Sequence, residues 1–174
     1  HAYSIEAVAE KAGAAKNSRA KKEDNVESYT YRNRDGELCV PGIMLKAACV
    51  EAARSRQDPR SPRKSAMDLY DGIIVPLTDL ASLGKHTRKT ATSGGWDFLD
   101  RRPVVVNQAR VLRSRPAMNA GWEATFDMMV SKPEYLAHRD LHGLVVDAGR
   151  VAGLGDYRPT FGRFNVTKFE ILTD

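Results

Sequence analysis

Lysine and arginine are concentrated in three polar segments of the sequence, and this distribution is the first feature that bears on chemistry. The segments are residues 10–36, 55–66 and 84–102, and none of them has a hydrophobic period. Basic side chains clustered on loops are typical of surfaces that bind phosphate. We therefore expect these segments, together with a lysine at the start of a following helix, to contact nucleic acid. The basic residues expected to do so are Lys21, Lys22, Arg32, Arg34, Lys46, Arg60, Arg63, Lys64, Lys85, Arg88 and Lys89.

A glycine-rich stretch, residues 153–164, is the second feature with chemical potential. Gly153 and Gly155 would allow a ligand backbone to approach closely, and Arg158 and Arg163 would hold phosphates. A helix end followed by a turn would need only one or two of these glycines, so both interpretations stay open. Trp96 is expected to stack on bases, with Tyr29 or Tyr31 as further candidates, although a buried structural role is an equal alternative.

Signals for catalysis are weak by comparison, and we assign no catalytic residue, no metal site and no cofactor. Asp24 lies in the long basic segment, where a solvated charge is the simpler interpretation. His138 and His142 are spaced to share one helix face, but no third metal ligand accompanies them. The nucleophile, phosphate-loop and paired-cysteine motifs of common enzyme classes are missing from the sequence.

Composition is that of a globular protein: 174 residues, 42% hydrophobic and 28% charged, with a net charge of +5. The length predicts a single domain over residues 1–174. No apolar run reaches the roughly 18 residues of a membrane helix, so we expect no membrane partner. Cys39 and Cys49 lack the pattern of a secreted disulfide scaffold, which favours reduced core thiols and a cytoplasmic location.

Hydrophobic periodicity predicts two helices and several strands. The strands are expected at residues 3–9 and 72–76, in a hairpin of 103–115 with 122–130 around a turn at 119–121, and at 162–172. The helices are expected from Ile43 to about Arg54 and over 133–151. This order is that of an α+β fold with a ferredoxin-like, RNA-recognition-type βαββαβ sheet and long basic loop insertions.

Two stretches together resemble the RAMP superfamily of CRISPR proteins, in particular the backbone subunits that coat guide RNA. The first runs from Arg32 through Pro41-Gly42 to Lys46, and the second is the glycine-rich stretch from Gly153 to Phe164. The chain is also similar to small phage-borne relatives of that superfamily. In place of the family's Ser-Ser the chain has Ile43-Met44. The resemblance implies a nucleic-acid-binding fold of the ferredoxin-like type.

The preferred hypothesis is non-catalytic binding of RNA or single-stranded DNA through the basic loops and the glycine-rich segment. The resemblance leaves two alternatives open: a RAMP-type ribonuclease, or a phage protein that engages a CRISPR complex by resembling its subunit. Protein subunits of a ribonucleoprotein, or self-association, are further partners to be expected under these hypotheses.

Overall fold

A computed structural model describes residues 26–84, 94–106 and 108–172 of the chain. The chain forms two compact units, one of residues 1–39 and 82–124 and the other of residues 40–81 and 125–174. We call them unit 1 and unit 2. The division falls within strands β1 (Cys39–Pro41) and β5 (Leu80–Ser82), which pair with each other. The single domain expected over 1–174 stays a prediction.

Three α-helices of the described residues lie in unit 2: α1 (Gly42–Ala52), α2 (Met67–Ile73) and α3 (His138–Asp147). A short 3-10 turn, Ala53–Ser55, follows α1, and a π-helical turn, Ala148–Ala152, extends α3. Two antiparallel strand pairs complete the unit. They are β2 (Gln57–Asp58) with β3 (Ser61–Ser65), and β4 (Ile74–Pro76) with β8 (Met128–Val130).

The core of unit 2 lies where α1 packs against α3 and its π-helical turn. The predicted apolar face of α1 is confirmed, since Leu45, Ala48, Cys49 and Ala52 are all buried. The largest fully buried side chains are those of Ile74, Leu136, Leu144 and Cys49. Cys39 and Cys49 are both free and buried, which confirms that they are core thiols.

The described part of unit 1 contains a 3-10 turn (Glu27–Tyr29) and one long antiparallel pair, β6 (Phe98–Val106) with β7 (Ala109–Ala117). We call this pair the ribbon. Its register is regular from Phe98 opposite Ala117 to Val106 opposite Ala109. Gln108, in the connection between the strands, has a φ of 64°, a left-handed conformation that tight turns require.

The mixed α+β class is confirmed, but the ferredoxin-like strand order is not, because the described strands form four separate two-stranded sheets. The hairpin predicted from 103–115 and 122–130 is wrong: residues 103–115 contain the turn of the ribbon and belong to both of its strands. The predicted strand 103–115 has thirteen residues, whereas strands usually have about three to ten. This excess length was a sign that the segment contains a turn. Only Met128–Val130 of the second predicted strand is a strand, and it pairs with β4.

Four other segments differ from the predictions. Residues 55–66 include the β2–β3 hairpin, and 98–102 belong to β6 instead of a loop. The hydrophobic period does not predict helix α2. Because α2 extends to Ile73, only residues 74–76 of the strand predicted at 72–76 form a strand. Helix α3 begins at His138, because Ala137 before it is extended at ψ 157°.

Two further predicted strands are not confirmed. Residues 162–172 pair as a strand with none of the other described segments. The strand expected at 3–9 and most of the loop expected at 10–36 lie outside the described residues. Within the part of the chain that is described, no helix has the length and apolar character needed to cross a membrane.

Gly42 offers a test of how α1 is seated. A Cβ at this position would collide with the backbone carbonyl of Thr78, and the Gly42 amide donates to the Asp79 carbonyl at 2.9 Å. Gly42→Ala should therefore lower the free energy of unfolding by about 1–3 kcal/mol, the usual cost of overpacking. Gly72→Ala, in α2, is the matched control, since nothing lies within 4 Å of its Cβ position. Removing a helical glycine there should raise stability by up to about 1 kcal/mol. Equal melting temperatures for the two variants would contradict this account.

Candidate nucleic-acid interface

The predicted contact residues fall into three groups in the structure. Lys21, Lys22, Lys85, Arg88 and Lys89 lie outside the described residues, as does Asp24. A second group is engaged in contacts within the protein. A third group is exposed to solvent and available to a ligand.

Arg32 belongs to the engaged group and holds three segments of unit 1 together. Its Nε donates to Glu27 Oε1 at 2.7 Å, its Nη1 to the Gly36 carbonyl at 2.8 Å and its Nη2 to the Gly94 carbonyl at 2.6 Å. The Arg32 guanidinium is also the main cause that lowers the pKa of the Glu27 carboxyl. The pair therefore stabilises the fold above the ordinary pKa of glutamate and loses this contribution as the pH falls through the lowered value.

Trp96 is half-buried, and its indole packs over Gly94, where an added Cβ would collide with the ring. The nearby Trp96 side chain makes a minor contribution to the lowering of the pKa of the Glu27 carboxyl. Tyr29 and Tyr31 are also half-buried, and burial raises the pKa of Tyr31. These contacts favour the structural interpretation of all three aromatic rings. The prediction that they stack on bases has no support from this geometry.

Lys46 and Arg60 are engaged as well. The Nζ of Lys46, on α1, lies 3.2 Å from Asp71 Oδ1 of α2. Arg60 makes a two-pronged contact with Asp58, at 3.0 Å from Nε to Oδ1 and 2.8 Å from Nη2 to Oδ2, while its amide also donates to Oδ1. The hydrogen bonds from Arg60 are the main cause that lowers the pKa of Asp58. This carboxylate thus closes the turn of the β2–β3 hairpin, a role typical of aspartate.

Arg63 and Lys64 are exposed and lie outside the Asp58 contact that holds Arg60, because the register of the same hairpin is irregular. Asp58 pairs with Ser61 and the adjacent Gln57 pairs with Ser65, so the three residues between Ser61 and Ser65 bulge out of the ladder. Those residues are Pro62, Arg63 and Lys64, and all three are exposed. We call them the bulge. The side chain of Gln57 donates to the Pro62 carbonyl at 2.6 Å and so braces it.

The glycine-rich segment divides into a closed part and an open part. Gly153 and Gly162 approach each other's backbone closely, and the Leu154 amide donates to the Gly162 carbonyl at 2.8 Å. A Cβ on Gly162 would collide with the Leu154 backbone. Gly155, by contrast, is exposed, and nothing lies within 4 Å of its Cβ position, although its φ is 89°. Of these three glycines, only Gly155 therefore keeps a free backbone surface.

The arginines of this segment differ in the same way. Arg163 donates from Nε to the Pro159 carbonyl at 3.0 Å, so it braces its own loop. Arg158 is exposed. The predicted residues that the structure leaves open to a ligand are Arg34, Arg63, Lys64, Gly155 and Arg158.

The ribbon carries basic residues that are absent from the set predicted from the sequence. Its two strands contain five arginines against one aspartate, Asp100. Arg102 pairs with that aspartate at 2.6 Å, and Arg101 and Arg110 are exposed. The sequence signal that could have identified them is the dense run of arginines across 101–115. The predicted contact residues come from the loops, and Arg110, Arg113 and Arg115 fall in the predicted strand 103–115.

The two described histidines, His138 and His142, show no arrangement that would hold a metal ion. His142 contacts Phe169 with ring centroids 4.9 Å apart, and His138 is exposed at the start of α3. Among the described residues, no group of three or more histidine, cysteine or acidic side chains is placed to bind a metal. Burial raises the pKa of the Cys49 thiol to about 12, so it stays protonated at neutral pH.

Comparison of the chain with protein-family models, curated proteins and solved structures gives no match. Function is therefore inferred from the residues and geometry described above.

The contacts of Arg32 predict a large difference between two neighbouring arginines. Arg32→Lys should lower the free energy of unfolding by about 1–3 kcal/mol, because a single ammonium group cannot satisfy two carbonyls and a carboxylate in that fork geometry. Arg34→Lys, at an exposed site, should change it by less than about 0.5 kcal/mol. Denaturant melts of the two variants measure the difference. A stable Arg32→Lys protein would show that the three contacts are dispensable.

Proposed function

We propose that this protein binds RNA or single-stranded DNA without catalysis, through exposed basic side chains and the open part of its glycine-rich segment. The observation that carries the proposal is the bulge. Arg63 and Lys64 are consecutive, exposed residues of an irregular hairpin that Asp58 closes and Gln57 braces. Exposed charges fixed on a braced backbone suit phosphate contacts, because less conformational freedom is lost on binding.

Gly155 and Arg158 support the same function. A glycine without a neighbour at its Cβ position lets a sugar-phosphate backbone approach its peptide group closely. Arg158, three residues further on, is exposed and has the planar guanidinium that binds phosphate in a two-pronged manner. The adjoining contacts between Gly153, Leu154 and Gly162 fix the base of this loop.

A relationship to the RAMP superfamily, with its βαββαβ sheet, belongs to this proposal. Its support is the order of the two resembling stretches. Pro41-Gly42 leads directly into α1, and the glycine-rich segment directly follows the π-helical turn of α3. A cytoplasmic location is proposed on the two free thiols. Partners of the kind found in ribonucleoproteins remain a prediction.

The bulge is tested by removing its charge. The double variant Arg63→Gln, Lys64→Gln should bind a single-stranded oligonucleotide more weakly and with a smaller dependence on salt. The slope of log K against log salt is negative, and its magnitude should decrease by about 1.4, or about 0.7 for each phosphate that the variant no longer neutralises. Fluorescence anisotropy with a labelled oligonucleotide of about 20 nucleotides, at several salt concentrations, measures both quantities.

Arg54→Gln is the control for this experiment. Arg54 is exposed in the same unit, but Glu51 pairs with it at 3.0 Å, so its removal should leave the slope unchanged. If the wild-type protein shows no salt-dependent binding, the proposed function is wrong. If the control lowers the slope as much as the bulge variant, the oligonucleotide does not bind at the bulge.

Gly155 is tested by a bulky substitution. Gly155→Val should weaken binding of the same oligonucleotide and cost roughly 1–2 kcal/mol of stability, because valine resists a positive φ. Gly121→Val is the matched control: Gly121 has a φ of 105°, is exposed and also has nothing within 4 Å of its Cβ position. It should lose similar stability and keep its affinity. If the Gly155→Val protein has a lower melting temperature but binds the oligonucleotide normally when folded, Gly155 serves only the turn and not the binding of nucleic acid.

A further inference from the structure

The ribbon has one face that the other described residues leave largely uncovered. Its regular register places alternate residues of both strands on this side. We call it the outer face, and its exposed residues are Leu99, Arg101, Pro103, Val105, Arg110 and Leu112. The apolar side chains of Leu99, Leu112 and Val105 retain 41%, 51% and 70% of their accessible surface. Exposed apolar residues concentrated in this way mark an interaction surface.

The chemistry of the outer face narrows what it can bind. It has two arginines and no acidic residue, so its partner carries negative charge. It has no aromatic ring, since Phe98 belongs to the opposite side of the ribbon. Proteins that hold single strands by their bases use aromatic platforms for stacking. The outer face is therefore poorly suited to unpaired bases, although its charge suits nucleic acid.

The dimensions of the ribbon fit the major groove of a double helix. Each strand has nine residues, which corresponds to a length of about 30 Å. A two-stranded ribbon fits the major groove of B-form DNA, about 12 Å wide, whereas the major groove of A-form RNA is too narrow for side chains to read. In the wide groove, arginine pairs with guanine O6 and N7, and apolar side chains contact the methyl group of thymine.

We propose that the outer face of the ribbon docks in the major groove of B-form duplex DNA. Arg101 and Arg110 would contact guanine edges or the flanking phosphates, and Val105 and Leu112 would contact thymine methyl groups. This inference goes beyond the proposed function, because its ligand is a double helix and its residues are not those of the bulge or the glycine-rich segment.

Three labelled probes of the same sequence and length, about 20 nucleotides per strand, test the inference: a DNA duplex, the corresponding RNA duplex and the single DNA strand. The wild-type protein should bind the DNA duplex more tightly than the RNA duplex. Arg101→Gln with Arg110→Gln should weaken DNA duplex binding about tenfold and reduce its salt slope by about 1.8, while single-strand binding changes little. Leu112→Ser should weaken duplex binding without changing the slope.

Arg139→Gln with Arg150→Gln is the matched control, since it also removes two exposed charges and neither residue belongs to a proposed binding surface. It should leave the DNA duplex affinity nearly unchanged. The inference is overturned if the wild-type protein does not bind the DNA duplex, if the ribbon variant weakens all three probes equally, or if the control variant weakens duplex binding as much as the ribbon variant does. Circular dichroism melts confirm that each variant is folded. If the protein binds the DNA duplex but not the single strand, the proposed function is wrong and this inference stands. If it binds the single strand but not the duplex, this inference is wrong and the proposed function stands.

Discussion

The close packing of α1 against α3 and its π-helical turn is the contact on which unit 2 depends. The side chains buried on α1 and on the π-helical turn are mostly small, including Ala48 and Ala52 on α1 and Ala148 and Ala152 on the turn. Small side chains let two helices approach closely, and an interior packed at this density tolerates little added volume. Both candidate surfaces of this unit begin where these helices end. The 3-10 turn after α1 leads into the hairpin that carries the bulge, and the π-helical turn leads into the glycine-rich segment.

The sequence predicted α1 well because its apolar residues repeat at helical spacing and the Pro41-Gly42 turn marks its start. It predicted the strands poorly because the signals that divide them are not hydrophobic. The ribbon turns at Gln108, inside the segment predicted as one strand, and neither glycine nor proline separates Val106 from Ala109 to mark the turn. The β2–β3 hairpin depends on hydrogen bonds from the Arg60 backbone and side chain to Asp58, in a segment whose prolines and charges are typical of a loop. Hydrophobic periodicity indicates which face of a helix or strand is buried. It does not indicate where a side chain such as that of Asp58 will close a turn.

The arginines show why a candidate site is harder to predict than a helix. Arg32 and Arg34 are two residues apart in a basic segment, and nothing in their neighbours distinguishes them. In the fold, one satisfies two backbone carbonyls and a carboxylate, and the other is exposed. Charge density identifies regions that attract phosphate, but the same guanidinium group is equally able to hold loops together. Which role an arginine takes depends on carbonyls that are distant in sequence, such as that of Gly94, and these become visible only in three dimensions.

The contact between Leu154 and Gly162 has a consequence for how the protein can change. It ties the two ends of the loop 155–161, and the collisions that any side chain on Gly162 would cause make this tie intolerant of substitution. The loop that it encloses is mostly exposed, and lengthening an exposed loop with fixed ends has only a small entropic cost. Insertions should therefore be accepted between Gly155 and Thr160 and rejected at either end. Variation in length would then be confined to the stretch that carries Arg158, so the reach of this arginine can be altered while the core beneath it stays the same.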